Sequence, residues 1–178
     1  MAIGASIYKA DLNLSNFNSH FYHDFNLTMA KHPSENEARM MNRLAAFCYC
    51  AHEDLSFTKG LSTQEEPELW QKDLTGEILH WIELGLPDEK RIKQALGKSR
   101  KVSVFTTAPN TYREWFNKLK ISSPKLSIYF IEVVSNGPID KIVERNMKLS
   151  CTIEDNIMHL GNDQERIELK VLNLNDSP

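Results

Sequence analysis

Apolar and polar positions change their spacing several times along the chain, and each change marks a boundary between predicted elements. Alternation over residues 3–14 predicts a first strand, and alternation over residues 21–29 predicts a second strand after a polar turn. An apolar stripe at helical spacing then predicts a helix over residues 34–52. Ser34 and Glu37 have the spacing of a capping box, which predicts the start of this helix.

Strand and helix patterns alternate in the rest of the chain. Residues 68–72 and 77–84 predict a second hairpin around the residues "DLTG". A helix that begins at Pro87 and closes at Gly97 follows, then a strand at "KVSVFTT", a short helix at "NTYREWFNKL" and a strand at "KLSIYFIEVV". The residues "IDKIVERNM" predict a last helix, and the tail predicts two or three strands. Hairpins mixed with strand-helix-strand units predict an α+β fold with a mixed central β-sheet and flanking helices.

Composition adds limits on the class of protein. With 178 residues, 41% of them hydrophobic and 25% charged, the chain suits one domain over residues 1–178. The net charge of -3 argues against a globally basic nucleic-acid-binding protein but leaves local basic surfaces open. Three cysteines (Cys48, Cys50 and Cys151) and no apolar leader predict a reduced, cytoplasmic protein. No apolar run reaches the ~20 residues of a membrane-spanning helix, so no membrane partner is expected.

Glu83 stands in the middle of the apolar strand pattern "LHWIELG", where an unpaired buried carboxylate costs roughly several kcal/mol. If Thr75 and Gly76 form a two-residue turn, Glu68 faces Glu83 with the side chains about 5 Å apart. Two such carboxylates supply the oxygen ligands that Mg²⁺ or Mn²⁺ prefers. A three-residue loop with a bulge at Gly76 separates the two glutamates unless a second bulge restores the register. In a further alternative, both glutamates simply face solvent.

Three long motifs, in one order and at one spacing, carry a resemblance to a known family. They are "HPSE…RMMNRLAAF", "EPELWQKDLTGEI" and "WIELGLPDEKRIKQA". On these motifs the chain resembles the bacterial YaeQ family over nearly its whole length. The resemblance implies a fold similar to the PD-(D/E)XK nucleases, the restriction-endonuclease-like fold, whereas no biochemical activity is established for the family.

The resemblance also implies site residues. Pro67 and Glu68 correspond to the PD of the nuclease motif, and Glu83 corresponds to the acidic residue of its E-x-K part. Glu35 corresponds to the acidic residue that these nucleases often place at the start of the first helix. Glu35, Glu68 and Glu83 are therefore the expected ligands of Mg²⁺ or Mn²⁺. Gly85 stands where the motif has its lysine, so the basic group is missing from the strand.

The next helix offers a substitute for that lysine. Arg91 and Lys93 flank its apolar stripe, and a flanking side chain can reach back to Glu83. Glu83, Lys93 and Arg91 are thus the expected catalytic residues, although arginine neutralises charge and does not act as a base. Alternatively, Arg91 and Lys93 are solvated helix charges that pair with Asp88 or Glu89.

Two functions fit these residues. The first is a Mg²⁺-dependent phosphodiester hydrolase, a nuclease, in which the ion activates water and Arg91 or Lys93 stabilises the developing charge. The second is a catalytically inactive relative that binds nucleic acid or a protein partner, which Gly85 favours. The basic residues of the stretch 90–101 form either a footprint for phosphates or a charged helix face that Glu65 and its neighbour balance.

Overall fold

A computed structural model of the chain describes residues 4–59, 64–135 and 137–176. In these ranges the strands are β1 (Ser6–Asn16), β2 (Phe21–Lys31), β3 (Leu55–Phe57), β4 (Leu69–Lys72), β5 (Ile78–Leu84), β6 (Ser99–Thr106), β7 (Leu126–Val133), β8 (Asn146–Glu154), β9 (Ile157–Gly161) and β10 (Arg166–Asn173). The helices are α1 (Glu37–Tyr49), α2 (Glu89–Lys98) and α3 (Tyr112–Lys118). Among the described residues, no helix has both the length and the apolar character needed to cross a membrane.

The ten strands form one sheet in the order β2-β1-β8-β9-β10-β7-β6-β5-β4-β3. β5, β6 and β7 run parallel, and the connections between them contain α2 and α3. β1 also runs parallel to β8, whereas the remaining neighbours are antiparallel. The predicted α+β architecture with a mixed central sheet and flanking helices is therefore confirmed.

α1 covers one face of the sheet and reaches both of its edges. The ring of Phe47 lies 5.0 Å from that of Phe25 in β2 and 5.3 Å from that of Phe57 in β3, measured between ring centroids. Because β2 and β3 are the two edge strands, the sheet curls around α1 until it is nearly closed. The helix buries its apolar stripe in this main core: Met40, Met41, Leu44, Phe47 and Cys48.

α2 and α3 pack on the opposite face of the parallel strands. Ile92 and Ala95 of α2 share a second apolar core with Trp81 of β5. Ile82, the next residue of β5, belongs to the core around α1. Since side chains alternate along a strand, Glu83 lies on the same side of the sheet as Trp81, toward α2.

The start of α1 differs from the predicted capping box. Asn36 is the N-cap, and its side chain accepts a hydrogen bond from the Arg39 N–H at 2.8 Å. Glu37 accepts a hydrogen bond from the Tyr8 hydroxyl at 3.0 Å. The assignment of Ser34 as the cap is therefore wrong, because an asparagine two residues later serves the helix as well as a serine does.

The bounds of α2 also differ from the prediction. Asp88 is the N-cap, one residue after Pro87, and its side chain accepts from the backbone N–H of Arg91. Gly97 lies inside the helix, which ends at Lys98 with Ser99 as its C-cap. The prediction that Gly97 closes the helix is wrong, since Ser99 enters β6 directly with an extended backbone.

Two other elements were misjudged from the sequence. The predicted helix "IDKIVERNM" is only a 3₁₀ turn at Ile139–Ile142, because Met147 and its neighbours pair with β1. β3 was not predicted, since its three residues are too few to show a period. Ile3, predicted as part of the first strand, lies outside the described residues. The predicted tail of strands is confirmed as β8, β9 and β10.

Candidate functional site

The hairpin of β4 and β5 closes with a three-residue loop. The Gly76 N–H donates to the Asp73 carbonyl at 3.0 Å, and the Asp73 N–H donates to the Glu77 carbonyl at 3.0 Å. Gly76 has φ of +87°, a left-handed conformation that glycine adopts without strain. The two-residue turn at Thr75 and Gly76 does not form, and the bulged alternative is present.

A second irregularity brings the two hairpin glutamates back together. The register changes just beyond Gln71, so that Trp70 lies opposite Trp81. The last paired residues are Leu69 and Ile82, and the Glu68 N–H then donates to the Ile82 carbonyl at 3.0 Å. The second bulge thus restores the pairing of Trp70 with Trp81 and leaves Glu68 near Glu83, although the two glutamates are not a regular cross-strand pair.

Glu83 is buried, and two donors hold its carboxylate. Oε1 accepts from Trp81 Nε1 at 2.8 Å and from Arg91 Nε at 2.6 Å. Burial raises the pKa of the Glu83 carboxyl, the Trp81 and Arg91 contacts oppose this rise, and the nearby charge of Glu68 adds to it. The cation that a glutamate in this apolar strand requires is therefore Arg91.

Arg91 joins three parts of the chain. One terminal nitrogen donates to the carbonyl of Gln64, and the other donates to the carbonyl of Glu66 at 2.6 Å. The guanidinium carbon lies 5.2 Å from the centre of the Trp81 ring. With Nε on Glu83, every nitrogen of this side chain has an acceptor, which fixes α2 against β5 and against the segment that precedes β4.

Lys93 lies on the solvent side of α2. Its side chain is 67% exposed and pairs with Glu89, one helical turn earlier, at 3.5 Å. Of the two basic residues expected near Glu83, the structure brings only Arg91 there. Because arginine stays protonated, Arg91 neutralises the carboxylate and has no capacity to take a proton from water.

Two arginines of α1 pair with the other carboxylates. Arg43 donates to both oxygens of Glu35, at 2.9 Å through Nε and at 2.8 Å through Nη2. Arg39 bridges Glu35 at 3.1 Å and Glu68 at 2.5 Å. We call these paired charges the arginine–glutamate row. It consists of the linked set Arg43, Glu35, Arg39 and Glu68 and of the neighbouring pair Glu83 and Arg91.

Sequence reasoning missed Arg39 and Arg43. They follow Glu35 at intervals of four residues, so one side of the helix carries both. That spacing was visible in the sequence. A fully buried arginine is rare, however, and the side chain of Arg43 is 0% exposed. Trp81, two residues before Glu83 on the same strand face, was likewise visible as a donor.

Arginines contact all three carboxylates expected to bind a metal ion. Both oxygens of Glu35 accept from guanidinium groups, Arg39 approaches both oxygens of Glu68, and Arg91 contacts Oε1 of Glu83. A Mg²⁺ or Mn²⁺ ion on these oxygens would therefore lie beside guanidinium cations. Over residues 4–59, 64–135 and 137–176, no group of three or more His, Cys, Asp or Glu side chains is placed to hold a metal ion. Glu35 and Glu68 share Arg39, whereas Glu83 pairs with Arg91.

The basic stretch 90–101 is partly paired with acids. Lys98 contacts Glu65 at 2.7 Å, and Arg100 contacts Glu77 at 2.6 Å. These pairs, with Lys93 on Glu89, follow the prediction of a balanced helix face. Two exposed residues of the stretch have no ion pair in the part of the chain that the structure describes: Lys90 and Lys101.

Comparison with known proteins assigns the chain to a family. The family profile described as YaeQ protein matches residues 1–171. The chain belongs to the YaeQ family. The protein named YaeQ in Escherichia coli (strain K12) is 37% identical over 174 residues, which is 96% of either chain. The YaeQ protein of Salmonella typhi is 35% identical over the same share. The resemblance seen in the three sequence motifs is confirmed.

Two solved YaeQ structures share the fold. The crystal structure of YaeQ from Xanthomonas axonopodis pv. citri has a TM-score of 0.89 at 30% identity and covers 96% of this chain and 98% of that one. The crystal structure from Pseudomonas syringae has a TM-score of 0.84 at 30% identity and covers 96% of both chains. The curled sheet around α1 is therefore a property of the YaeQ family, while the likeness to PD-(D/E)XK nucleases stays a prediction.

Proposed function

We propose that this YaeQ-family chain binds nucleic acid without cleaving it. The observation that carries the proposal is the contact between Arg91 Nε and Glu83 Oε1 at 2.6 Å. A metal-dependent nuclease needs a free carboxylate and a lysine at this point. An arginine bound to the carboxylate keeps the charge balanced, but it does not generate a nucleophile.

Hydrolysis is the alternative, with Glu83, Arg91 and Lys93 as the catalytic residues. It requires a divalent ion to bind beside the arginines that contact Glu68 and Oε1 of Glu83, or to displace them. Either step costs electrostatic free energy, because the ion is repelled by the guanidinium groups or leaves them without a counter-charge. The arrangement of charges thus favours binding over cleavage.

Exposed cations on α2 favour nucleic acid as the ligand. Lys90 is exposed and has no acidic partner among the described residues. Lys101 is exposed too, but it lies on β6 and faces the α1 side of the sheet, because Val102 faces α2. Lys93 and Arg100 form exposed pairs, which contribute little stability and which a phosphate can replace. Because the chain carries a net charge of -3, binding depends on this local face and weakens steeply as salt is added.

Fluorescence anisotropy with a labelled oligonucleotide tests the proposal. We expect binding at low salt that the double variant Lys90→Ala/Lys93→Ala on α2 weakens, with a salt slope smaller by about one for each lost phosphate contact. Lys9→Ala/Lys148→Ala removes the same charge from β1 and β8 and serves as the matched control. Cleavage of the oligonucleotide in Mn²⁺ by the wild type, absent in Glu83→Gln, would overturn the proposal.

A further inference from the structure

One side of α2 carries three hydrogen-bond donors that contact a single short segment. The donors are Arg91, Gln94 and Lys98, which are three and four positions apart and so lie on one side of the helix. We call them the donor row. The segment is residues 64–66, with the sequence Gln-Glu-Glu, which we call the acidic segment.

The acidic segment accepts hydrogen bonds from every residue of the donor row. Arg91 donates to two carbonyl oxygens of the segment, one of them at 2.6 Å. Gln94 donates to one of the same carbonyls, that of Gln64, at 3.0 Å. Lys98 Nζ lies 2.7 Å from the Glu65 carboxylate, and this contact lowers the pKa of that carboxyl. All three donors are thus occupied by the chain itself.

The acidic segment offers the donor row two backbone carbonyls and one carboxylate. A nucleic-acid strand also presents closely spaced oxygen acceptors to protein donors, and arginine, lysine and glutamine side chains make such contacts. We propose that the acidic segment is an internal competitor for the donor row, and that its displacement opens α2 to a nucleic-acid backbone. This inference rests on the proposed function and adds a means of regulating it.

The contact between Glu65 and Lys98, at the far end of the donor row from Arg91, is one that a ligand can replace. The Glu65 side chain is 75% exposed and that of Lys98 is 38% exposed, and exposed pairs contribute little and weaken with salt. The next residue is held differently. Pro67 is buried, and its carbonyl accepts from the Thr58 hydroxyl at 2.6 Å. Displacement therefore ends before Pro67, and Glu68 keeps its contact with Arg39.

Neutralising the acidic segment tests the inference. We expect Glu65→Gln/Glu66→Gln in the full chain to bind a labelled oligonucleotide about tenfold more tightly at low salt, since two charges that repel phosphate are gone. The matched control is Glu53→Gln/Asp54→Asn, which removes the same charge from the exposed loop before β3. Adding Lys98→Ala to the first variant is expected to reverse the gain, because it removes a donor from the row.

The outcomes separate this inference from the proposed function. If the wild type binds and Glu65→Gln/Glu66→Gln binds no more tightly than the control, the acidic segment is not a competitor and the inference fails alone. If neither protein binds at low salt, the proposed function fails as well. Circular dichroism of each variant confirms that the substitutions leave the fold intact.

Discussion

The Nη2 atom of Arg39 lies 2.5 Å from Oε1 of Glu68, so α1 neutralises the carboxylate that a nuclease of the expected type would give to its metal ion. The same guanidinium contacts Glu35 at 3.1 Å. One arginine therefore ties the helix start to the β4–β5 hairpin. The three glutamates expected to bind a metal ion are instead paired with arginines of the same chain.

Glu35→Gln leaves the buried Arg43 without a counter-charge. The side chains of this pair are 1% and 0% exposed, so the loss is that of a buried ion pair, about 3–5 kcal/mol in the free energy of unfolding. Urea denaturation measures it. Glu114→Gln removes the acid of an exposed pair with Lys118 and is the control, with an expected change within about 0.5 kcal/mol. Equal midpoints for the two variants would contradict a structural role for the arginine–glutamate row.

Arg91→Ala removes the charge and the hydrogen bond that hold down the pKa of Glu83. Burial already raises this pKa, so we expect a further rise in the variant. A raised folded-state pKa gives stability that is present below the unfolded pKa and is lost as the pH rises through the folded value. NMR titration of the glutamate side-chain carbons measures the shift. Lys93→Ala should leave the Glu83 titration unchanged, and a shift of equal size there would exclude a specific Arg91 effect.

His80 makes the protein sensitive to acid. Burial, and then the charge of Lys101, lower the pKa of His80 to about 4, and its Nε2 lies 2.8 Å from the Ser103 hydroxyl. A lowered histidine pKa gives stability that is full above the unfolded value near 6.5 and is lost as the pH falls toward 4. The loss amounts to roughly 3 kcal/mol.

Urea denaturation at a series of pH values measures this loss. We expect His80→Gln to flatten the dependence of unfolding free energy on pH in this window. His32→Gln, at an exposed position, keeps the wild-type slope. The opposite ranking of the two variants would show that another group governs acid sensitivity.

Two cysteine thiols, those of Cys48 and Cys151, are expected to be unreactive in the native protein because both residues are buried. A hydrogen bond with Cys151, together with burial, also raises the pKa of Cys48 well above its usual value. A disulfide reagent at mildly alkaline pH should therefore modify Cys48 and Cys151 only when the protein is unfolded. The half-buried Cys50 is replaced by serine in this test. Rapid modification of either remaining cysteine without denaturant would show that the core around α1 opens readily.

The periodic elements were visible in the sequence because their patterns are local. The first hairpin, the apolar stripe of α1 and the tail of β8, β9 and β10 all follow from spacing alone. Long-range pairing does not. The parallel contact between β1 and β8 turns "RNM" into the start of a strand, although the local pattern continues a helix.

The sequence identified the glutamates of the candidate site, but it did not identify the arginines that pair with them. Glu68 and Glu83 followed from the hairpin pattern and Glu35 from the family resemblance, and the structure places each beside an arginine. The bulge near Gln71 that sets Trp70 opposite Trp81 and brings Glu68 near Glu83 has no sequence signature, because no glycine or proline marks it. Whether Arg91 or Lys93 contacts Glu83 depends on the rotation of α2 about its axis. The apolar stripe of the helix predicts this rotation only coarsely.

A calorimetric titration with Mn²⁺, carried to millimolar metal on the wild type and on Glu83→Gln, tests the central claim most directly. If Arg91 has taken the place of a metal ion, the two proteins give the same heats, and Glu77→Gln on the same hairpin matches them. A binding event in the wild type that Glu83→Gln abolishes and Glu77→Gln retains would mean that the hairpin carboxylates form a metal site. That result would contradict the account and restore hydrolysis as the function to pursue.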